Sequence, residues 1–287
     1  MHAQDIVHVG VVGCGLMGSG IAEVCARAGL AVTVVENSEE LAAAGKARIE
    51  TSLAKAVQRG KTTPEESAGA LARIQVVADL PAIAGVDLVI EAATEDPTAK
   101  RSIFAHLGEV VRDEVVLASN TSSIPIGSLG EASGRPDRVV GMHFFNPVPV
   151  LPLIEITPSA ATSEDALGLI RSFGTEVLGM TCVRSSDEAG FIVNRLLLPY
   201  LYDAMRLVER GFATREDIDT AVHLGLAHPM GPLALADLVG LDTVLSIGEV
   251  LHTAFGDQRY EAPAILTRLV AEGQLGRKTG SGFYDYR

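Results

Sequence analysis

An α/β domain on a parallel sheet, followed by an all-α domain, is the fold class this sequence predicts, and three observations predict it. Short Val- and Ile-rich runs alternate with helical patterns from Asp5 to about Pro149, the rhythm of βαβ units. The turn after the first of these runs is rich in glycine and opens a helix. Beyond about Ser185 no strand pattern of any length remains. A length of 287 residues suits two domains, at ~150 residues each as a soft guide. The expected division is 1–185 for a nucleotide-binding α/β domain and 186–287 for an α-helical one.

The elements follow in order. His8-Val9-Gly10-Val11-Val12 and Ala31-Val32-Thr33-Val34-Val35 are short and β-rich, as buried parallel strands are. Between them Ile21, Val24, Cys25 and Ala28 fall at i, i+3, i+4 and i+7, one face of a helix that Gly29 ends. Ser38 can N-cap a second helix that runs to Arg59 and stops at Gly60. Twenty-odd helical residues span ~30 Å, so this element is expected to project from the sheet. Thr62-Thr63-Pro64-Glu65 starts a return helix, completing a projecting helical hairpin before Ile74-Gln75-Val76-Val77 rejoins the sheet. Asp87–Ile90, Val115–Ala118 and Val139–Met142 supply further strands. In the C-terminal part, Phe191–Arg210 reads as a helix and Thr214-Arg215-Glu216-Asp217 as the capped start of the next.

Composition narrows the function. Lys and Arg number 23 against 36 Asp and Glu, a formal charge of −13, with only 5% aromatic residues. Such a chain lacks the cationic field that nucleic acids require. No apolar run reaches the ~18 residues of a membrane span. Met1-His2-Ala3-Gln4-Asp5 shows no basic leader and no cleavage pattern, so a cytoplasmic location is expected. Cys14, Cys25 and Cys182 are odd in number and far apart, which suits reduced thiols.

Gly13-Cys14-Gly15-Leu16-Met17-Gly18 is a GxGxxG loop between a strand and a helix, the Rossmann arrangement. Its glycines serve a tight turn, close approach to a pyrophosphate and helix–strand packing. The helix N-terminus then offers N–H groups to phosphates. Glu36 ends the second strand, where a carboxylate can bond a ribose 2′-hydroxyl and repel a 2′-phosphate. Asn37-Ser38 supply no arginine for such a phosphate, so NAD is expected over NADP. Cys14 within the loop reads more simply as a small residue filling a turn than as a redox sensor.

Catalytic groups in this fold lie beyond the carboxyl ends of the strands. Ser119-Asn120-Thr121-Ser122-Ser123, His143-Phe144-Phe145-Asn146-Pro147 and Ile154-Glu155-Ile156 fall there. If the last two pair as a hairpin centred near Pro149, His143 faces Glu155. Histidine can take a hydroxyl proton as hydride leaves carbon, and a carboxylate on its second nitrogen stabilises the imidazolium. Ser122 can bond the same substrate oxygen. Each has a plainer alternative: His143 as a core histidine, Ser122 as a helix cap, Glu155 as a solvated strand-edge charge.

The glycine loop, Ser119–Ser123, His143-Phe144-Phe145-Asn146-Pro147-Val148-Pro149 and Gly190-Phe191-Ile192-Val193-Asn194-Arg195 together resemble the 3-hydroxyacyl-CoA dehydrogenase family. Short bacterial 3-hydroxybutyryl-CoA dehydrogenases look most similar. The resemblance spans essentially the whole chain, including Pro229-Met230-Gly231-Pro232, Asp237–Asp242 and the ending Gly276–Tyr284. It implies an NAD-dependent (S)-3-hydroxyacyl-CoA dehydrogenase for short-chain acyl-CoA, with chemistry in a cleft between two domains and a homodimer formed through the helical one. His143 would be the base, Glu155 its partner, and Ser122 and Asn194 the substrate contacts. Gly13, Gly15, Leu16, Met17, Gly18, Glu36, Glu95, Lys100, Asn120, Ser122, Asn146 and Lys278 would lie near the dinucleotide. For Glu95 and Lys100 the residues alone favour the plainer alternative, the start of a solvated helix, and Lys278 sits in a tail mobile by composition.

Lys46, Arg48, Lys55, Arg59 and Lys61 cluster on the hairpin of an otherwise acidic chain, a suitable arm for the phosphates of coenzyme A. The resemblance places Ser52 and Lys55 at CoA, with Arg59 where a lysine is expected. A solvated face with a Lys46–Glu50 pair is the alternative. His223 and His228 are five apart, not on one helix face, so no metal is expected. Two rival functions share these features: oxidation of a free 3-hydroxy acid, which leaves the basic arm without purpose, and nucleotide binding without catalysis.

Overall fold

The computed structural model describes residues 2–287. The chain forms two compact units, the first ending at Glu188 and the second running Ala189–Arg287. In the first unit the order is β1 (His8–Val12), α1 (Leu16–Arg27), β2 (Ala31–Val35), α2 (Glu39–Gln58), α3 (Pro64–Ala72), β3 (Ile74–Val77) and β4 (Leu88–Glu91). It continues with α4 (Pro97–Val110), β5 (Val116–Ser119), α5 (Ile126–Ser133), β6 (Val139–Phe144), β7 (Leu153–Pro158), α6 (Glu164–Ser172) and β8 (Thr181–Arg184). The strands lie side by side as β3-β2-β1-β4-β5-β6-β7-β8. Pairing is parallel from β3 to β6, antiparallel between β6 and β7, and parallel again between β7 and β8. Chain order reverses beside β1, between its neighbours β2 and β4, which is where ligands bind open α/β sheets.

Strand periodicity explains why both faces of this sheet carry helices. Val9, Val11, Val32, Val34, Leu88 and Ile90 enter one apolar core with Ile21 and Cys25 of α1 and Ile49 and Leu53 of α2. The alternate residues Val12, Val35, Val89 and Leu117 enter another, with Phe104 and Leu107 of α4 and Leu129 of α5. Successive side chains point to opposite faces, so runs that are apolar throughout must be covered twice. Ser38 and Thr63 cap α2 and α3 by accepting from Leu41 and Glu66 N–H. Through Ala42, Gly45, Ile49 and Leu53, α2 is packed for most of its length. Residues 54–61 at the hairpin tip include no buried residue.

Strand β8 carried no sequence signal because Thr181-Cys182-Val183-Arg184 is a short, half-buried edge without apolar alternation. The first unit extends past residue 185 for a local reason. Asp187 accepts from the N–H groups of Ile126 (2.8 Å) and Gly127 (3.0 Å), closing the first turn of α5.

The second unit contains α7 (Val193–Glu209), α8 (Arg215–Gly225), α9 (Pro232–Val239), α10 (Leu241–Phe255) and α11 (Ala264–Ala271). Leu198, Leu201, Met205, Leu233, Leu251 and Leu266 form its core. Its C-terminal tail is anchored, contrary to the mobility its glycines suggested. Buried Asp237 accepts from the N–H groups of Phe283 (2.9 Å) and Tyr284 (3.0 Å) and from the Tyr286 hydroxyl (3.0 Å). No helix among the described residues is long and apolar enough to cross a membrane.

Candidate active site

The glycine loop turns directly out of β1. Gly13 has φ +93°, and a Cβ there would collide with the Ala93 backbone. A Cβ on Gly18 would strike the Gly13 carbonyl, whereas one on Gly15 would meet open space. No side chain caps α1 at Gly15, so its first-turn N–H groups and positive dipole end are presented at an open approach. That cradle fits a dinucleotide pyrophosphate. Glu36 follows β2 and accepts from Cys14 N–H (2.5 Å) and Asn37 N–H (3.1 Å). Burial, then the Glu36 charge, pushes the Cys14 thiol up to about 11 against the opposing Arg48 charge. A thiol so protonated fills space and is a poor nucleophile.

His143 and Glu155 stand directly opposite each other in the β6–β7 register. His143 Nδ1 lies 2.9 Å from Glu155 Oε2, with His143 only 7% exposed and Glu155 0%. Glu155 is therefore no solvated edge charge. The ring of Phe145 tilts against that of His143 at 4.7 Å. The Asn120 side-chain oxygen accepts from Phe144 N–H (2.8 Å), tying the end of β5 to the strand that carries the histidine. Asn146 begins the connecting turn through a cis peptide to Pro147.

Between the glycine loop and this pair lies a polar network. Glu91, the last residue of β4, is fully buried. It accepts from Lys100 Nζ (2.6 Å), Ser119 Oγ (2.9 Å) and Ala93 N–H (2.9 Å). Lys100 is 1% exposed, so its placement on a solvated helix face does not hold. Its ammonium also lies 3.8 Å from Glu95. Glu95 in turn accepts from Ser122 N–H (2.7 Å), Ser122 Oγ (3.0 Å) and Thr121 Oγ1 (2.7 Å). Ser122 does not cap α5, whose N-cap is Pro125.

In the second unit, buried Asn194 lies in the first turn of α7. Lys278 donates to both carboxylate oxygens of Asp242, 2.6 Å to Oδ2. Burial alone would raise the Asp242 carboxyl, but the Lys278 hydrogen bond and charge, with backbone donors, hold it below its ordinary range. On the hairpin, Ser52 is half-buried, while Lys55 and Arg59 are exposed. Neither Lys46–Glu50 nor any other ion pair engages Lys46, Lys55, Arg59 or Lys61 among the described residues. Arg48 leaves the basic group altogether: its Nη1 donates to the Cys14 carbonyl at 2.7 Å. Among the described residues no three His, Cys, Asp or Glu side chains form a metal-holding group.

Residues 8–188 match the family model described as 3-hydroxyacyl-CoA dehydrogenase, NAD binding domain, and residues 190–286 match its C-terminal domain. The chain belongs to the 3-hydroxyacyl-CoA dehydrogenase family. It is 53% identical over 285 residues to a 3-hydroxybutyryl-CoA dehydrogenase of Mycobacterium tuberculosis, covering 99% of this chain and 100% of the relative. The crystal structure of FadB2 from M. tuberculosis has a TM-score of 0.96 at 53% identity, over 98% of this chain and 99% of that one. That of an (S)-3-hydroxybutyryl-CoA dehydrogenase from Ralstonia eutropha has 0.91 at 42% identity, over the same 98% and 99%.

Within this dehydrogenase three side chains escaped sequence reasoning. Glu91 had a readable signal, a carboxylate closing an otherwise apolar strand. Asp242 had none beyond its separation of 36 residues from Lys278. Arg48 had a misleading one, because neighbouring cations on the same helix suggested a shared role.

Proposed function

We propose that this protein is an NAD-dependent (S)-3-hydroxyacyl-CoA dehydrogenase that interconverts short substrates such as 3-hydroxybutyryl-CoA and acetoacetyl-CoA. The buried His143–Glu155 pair at 2.9 Å carries the reading. The bound nicotinamide supplies the hydride acceptor. With Nδ1 directed to Glu155, His143 takes the substrate hydroxyl proton on Nε2, and Glu155 stabilises the resulting imidazolium without itself changing partner. Ser122 contacts the substrate oxygen, turning its hydroxyl from Glu95 to do so. Gly13 to Gly18 would receive the pyrophosphate, Glu36 the adenosine ribose, and Glu95, Lys100, Asn120 and Asn146 the remaining dinucleotide.

Ser52, Lys55 and Arg59 bind coenzyme A phosphates. Support comes from three cations at the hairpin tip, Lys55, Arg59 and Lys61, which make no ion pair among the described residues. The expected setting is the cytoplasm, and the expected assembly a homodimer through the helical unit, whose Leu196, Phe212, Leu224 and Leu226 are exposed.

Initial rates of NADH oxidation with acetoacetyl-CoA and with free acetoacetate test the proposal. Rapid turnover of the thioester and little of the free acid is expected. Turnover of the free acid alone would move the assignment to a 3-hydroxy acid dehydrogenase. NADH binding without turnover of either would leave a catalytically silent nucleotide-binding protein.

A further inference from the structure

The peptide of Cys14 is held from both sides by opposite charges. Glu36 accepts from its N–H at 2.5 Å, while Arg48 donates to its carbonyl at 2.7 Å. Helix packing brings the arginine there. Gly45 of α2 lies so close to the Cys14 side chain that a Cβ on it would collide with the sulfur. Arg48 comes three residues later, on the same helix face. The guanidinium spends only Nη1 on the protein among the described residues, and the side chain is exposed. Its charge opposes that of Glu36 at the Cys14 thiol, so both charges act on one spot beside the glycine loop.

Carboxylates at the end of the second strand of such folds bond a ribose 2′-hydroxyl, and a nearby arginine accommodates a 2′-phosphate. This chain holds both groups. We propose that Arg48 reads the 2′ position of the cofactor's adenosine together with Glu36, so that preference for NAD over NADP is the balance of this opposed pair and not the work of Glu36 alone. The inference rests on the dinucleotide lying at the glycine loop. With Glu36 charged, repulsion of a 2′-phosphate dominates. Once that carboxylate is neutralised, Arg48 already stands as the cation that a phosphate requires, with two nitrogens to offer.

Fluorescence titration of NADH and of NADPH, without substrate, tests this on the wild type, Glu36→Gln, Arg48→Met and the double variant. Neutralising Glu36 should tighten NADPH binding by about tenfold or more, the size of a charge-assisted phosphate contact. Adding Arg48→Met should remove most of that gain, and Arg48→Lys should retain part of it. Arg48→Met alone should widen the NADH-to-NADPH affinity ratio. Competition by 2′,5′-ADP against 5′-AMP should follow the same order, and thermal unfolding identifies any variant that misfolds.

Three results would overturn the inference. One is equal NADPH affinity in Glu36→Gln and the double variant. Another is loss of both cofactors in the same proportion on removing Arg48, which marks it as a brace for the loop. The third is a change confined to acetoacetyl-CoA affinity. Wild-type protein that binds no NADH would bring down the dehydrogenase assignment together with the inference, whereas normal NADH binding with an NADH-to-NADPH affinity ratio insensitive to Arg48 brings down the inference alone.

Discussion

The strand pair β6–β7 and the tip of the α2–α3 hairpin handle charge in opposite ways. At the strand pair, His143 and Glu155 are buried and bonded to each other at 2.9 Å. Around the hairpin tip, Lys55, Arg59 and Lys61 are exposed and without ion pairs among the described residues. Buried ionisable groups are held by partners that fix one geometry, as proton transfer in a transition state requires. Solvated cations on flexible stems attract phosphates from a distance and are screened by salt. On the proposed function, orientation belongs to the first region and capture to the second.

Removing the proposed base should break the first region most severely. His143→Gln should lower kcat by ~10²–10⁴-fold with little change in NADH affinity; near-normal turnover in steady-state assays would take His143 out of the mechanism.

The next effect concerns Glu91 and Lys100, a pair at 2.6 Å that is buried like His143 and Glu155. Glu91→Gln leaves the buried ammonium with only the more distant Glu95 carboxylate at 3.8 Å and should destabilise the fold by about 3 kcal/mol in denaturant titration. Replacing both members, as in Glu91→Leu with Lys100→Met, should recover most of that stability while NADH binding stays weak. Full recovery of NADH binding in this double variant would reduce the pair to a structural filler.

At the hairpin, Lys55→Ala with Arg59→Ala should raise the KM for acetoacetyl-CoA several-fold and leave kcat nearly unchanged. Each exposed phosphate contact is worth only about 1 kcal/mol, and the difference from wild type should shrink in high salt. An effect confined to kcat would assign the tip to something other than capture.

Glu23 sharpens the contrast from the side of stability. It is buried on α1, and among the described residues no hydrogen bond reaches either carboxylate oxygen, with Arg27 at 3.6 Å. Burial pushes its carboxyl above the ordinary range. A carboxyl raised in the folded state favours folding while protonated, so its contribution is complete below the unfolded value of ~4.3. That contribution is lost as pH rises through the folded value. Glu23→Gln should therefore stabilise the protein by about 1 kcal/mol at pH 8 and by progressively less toward pH 4. Melting temperatures across that range measure it, and a pH-independent difference would refute the titration.

Most of the element order and the polar segments at the sheet's carboxyl edge were legible in the sequence, because these are written in local patterns. Apolar runs that must be covered on both faces make parallel strands, three glycines make the phosphate loop, and Ser38 and Thr63 cap the hairpin helices. The separation of His143 from Glu155 about the proline turn also set them opposite each other once that turn closed. Other features were decided by side chains that meet only after distant elements pack. Strand β8 forms because β7 offers it a ladder, not because Thr181–Arg184 is apolar. Lys100 turns inward because Glu91 ends the neighbouring strand, and Lys278 is held by Asp242 in an anchored tail. Arg48, one cation among several along α2, is drawn to the glycine loop by the close approach of Gly45 to Cys14. Spacing along a chain specifies which face of a helix a residue occupies; which neighbour that face meets is settled by the packing of helix on sheet.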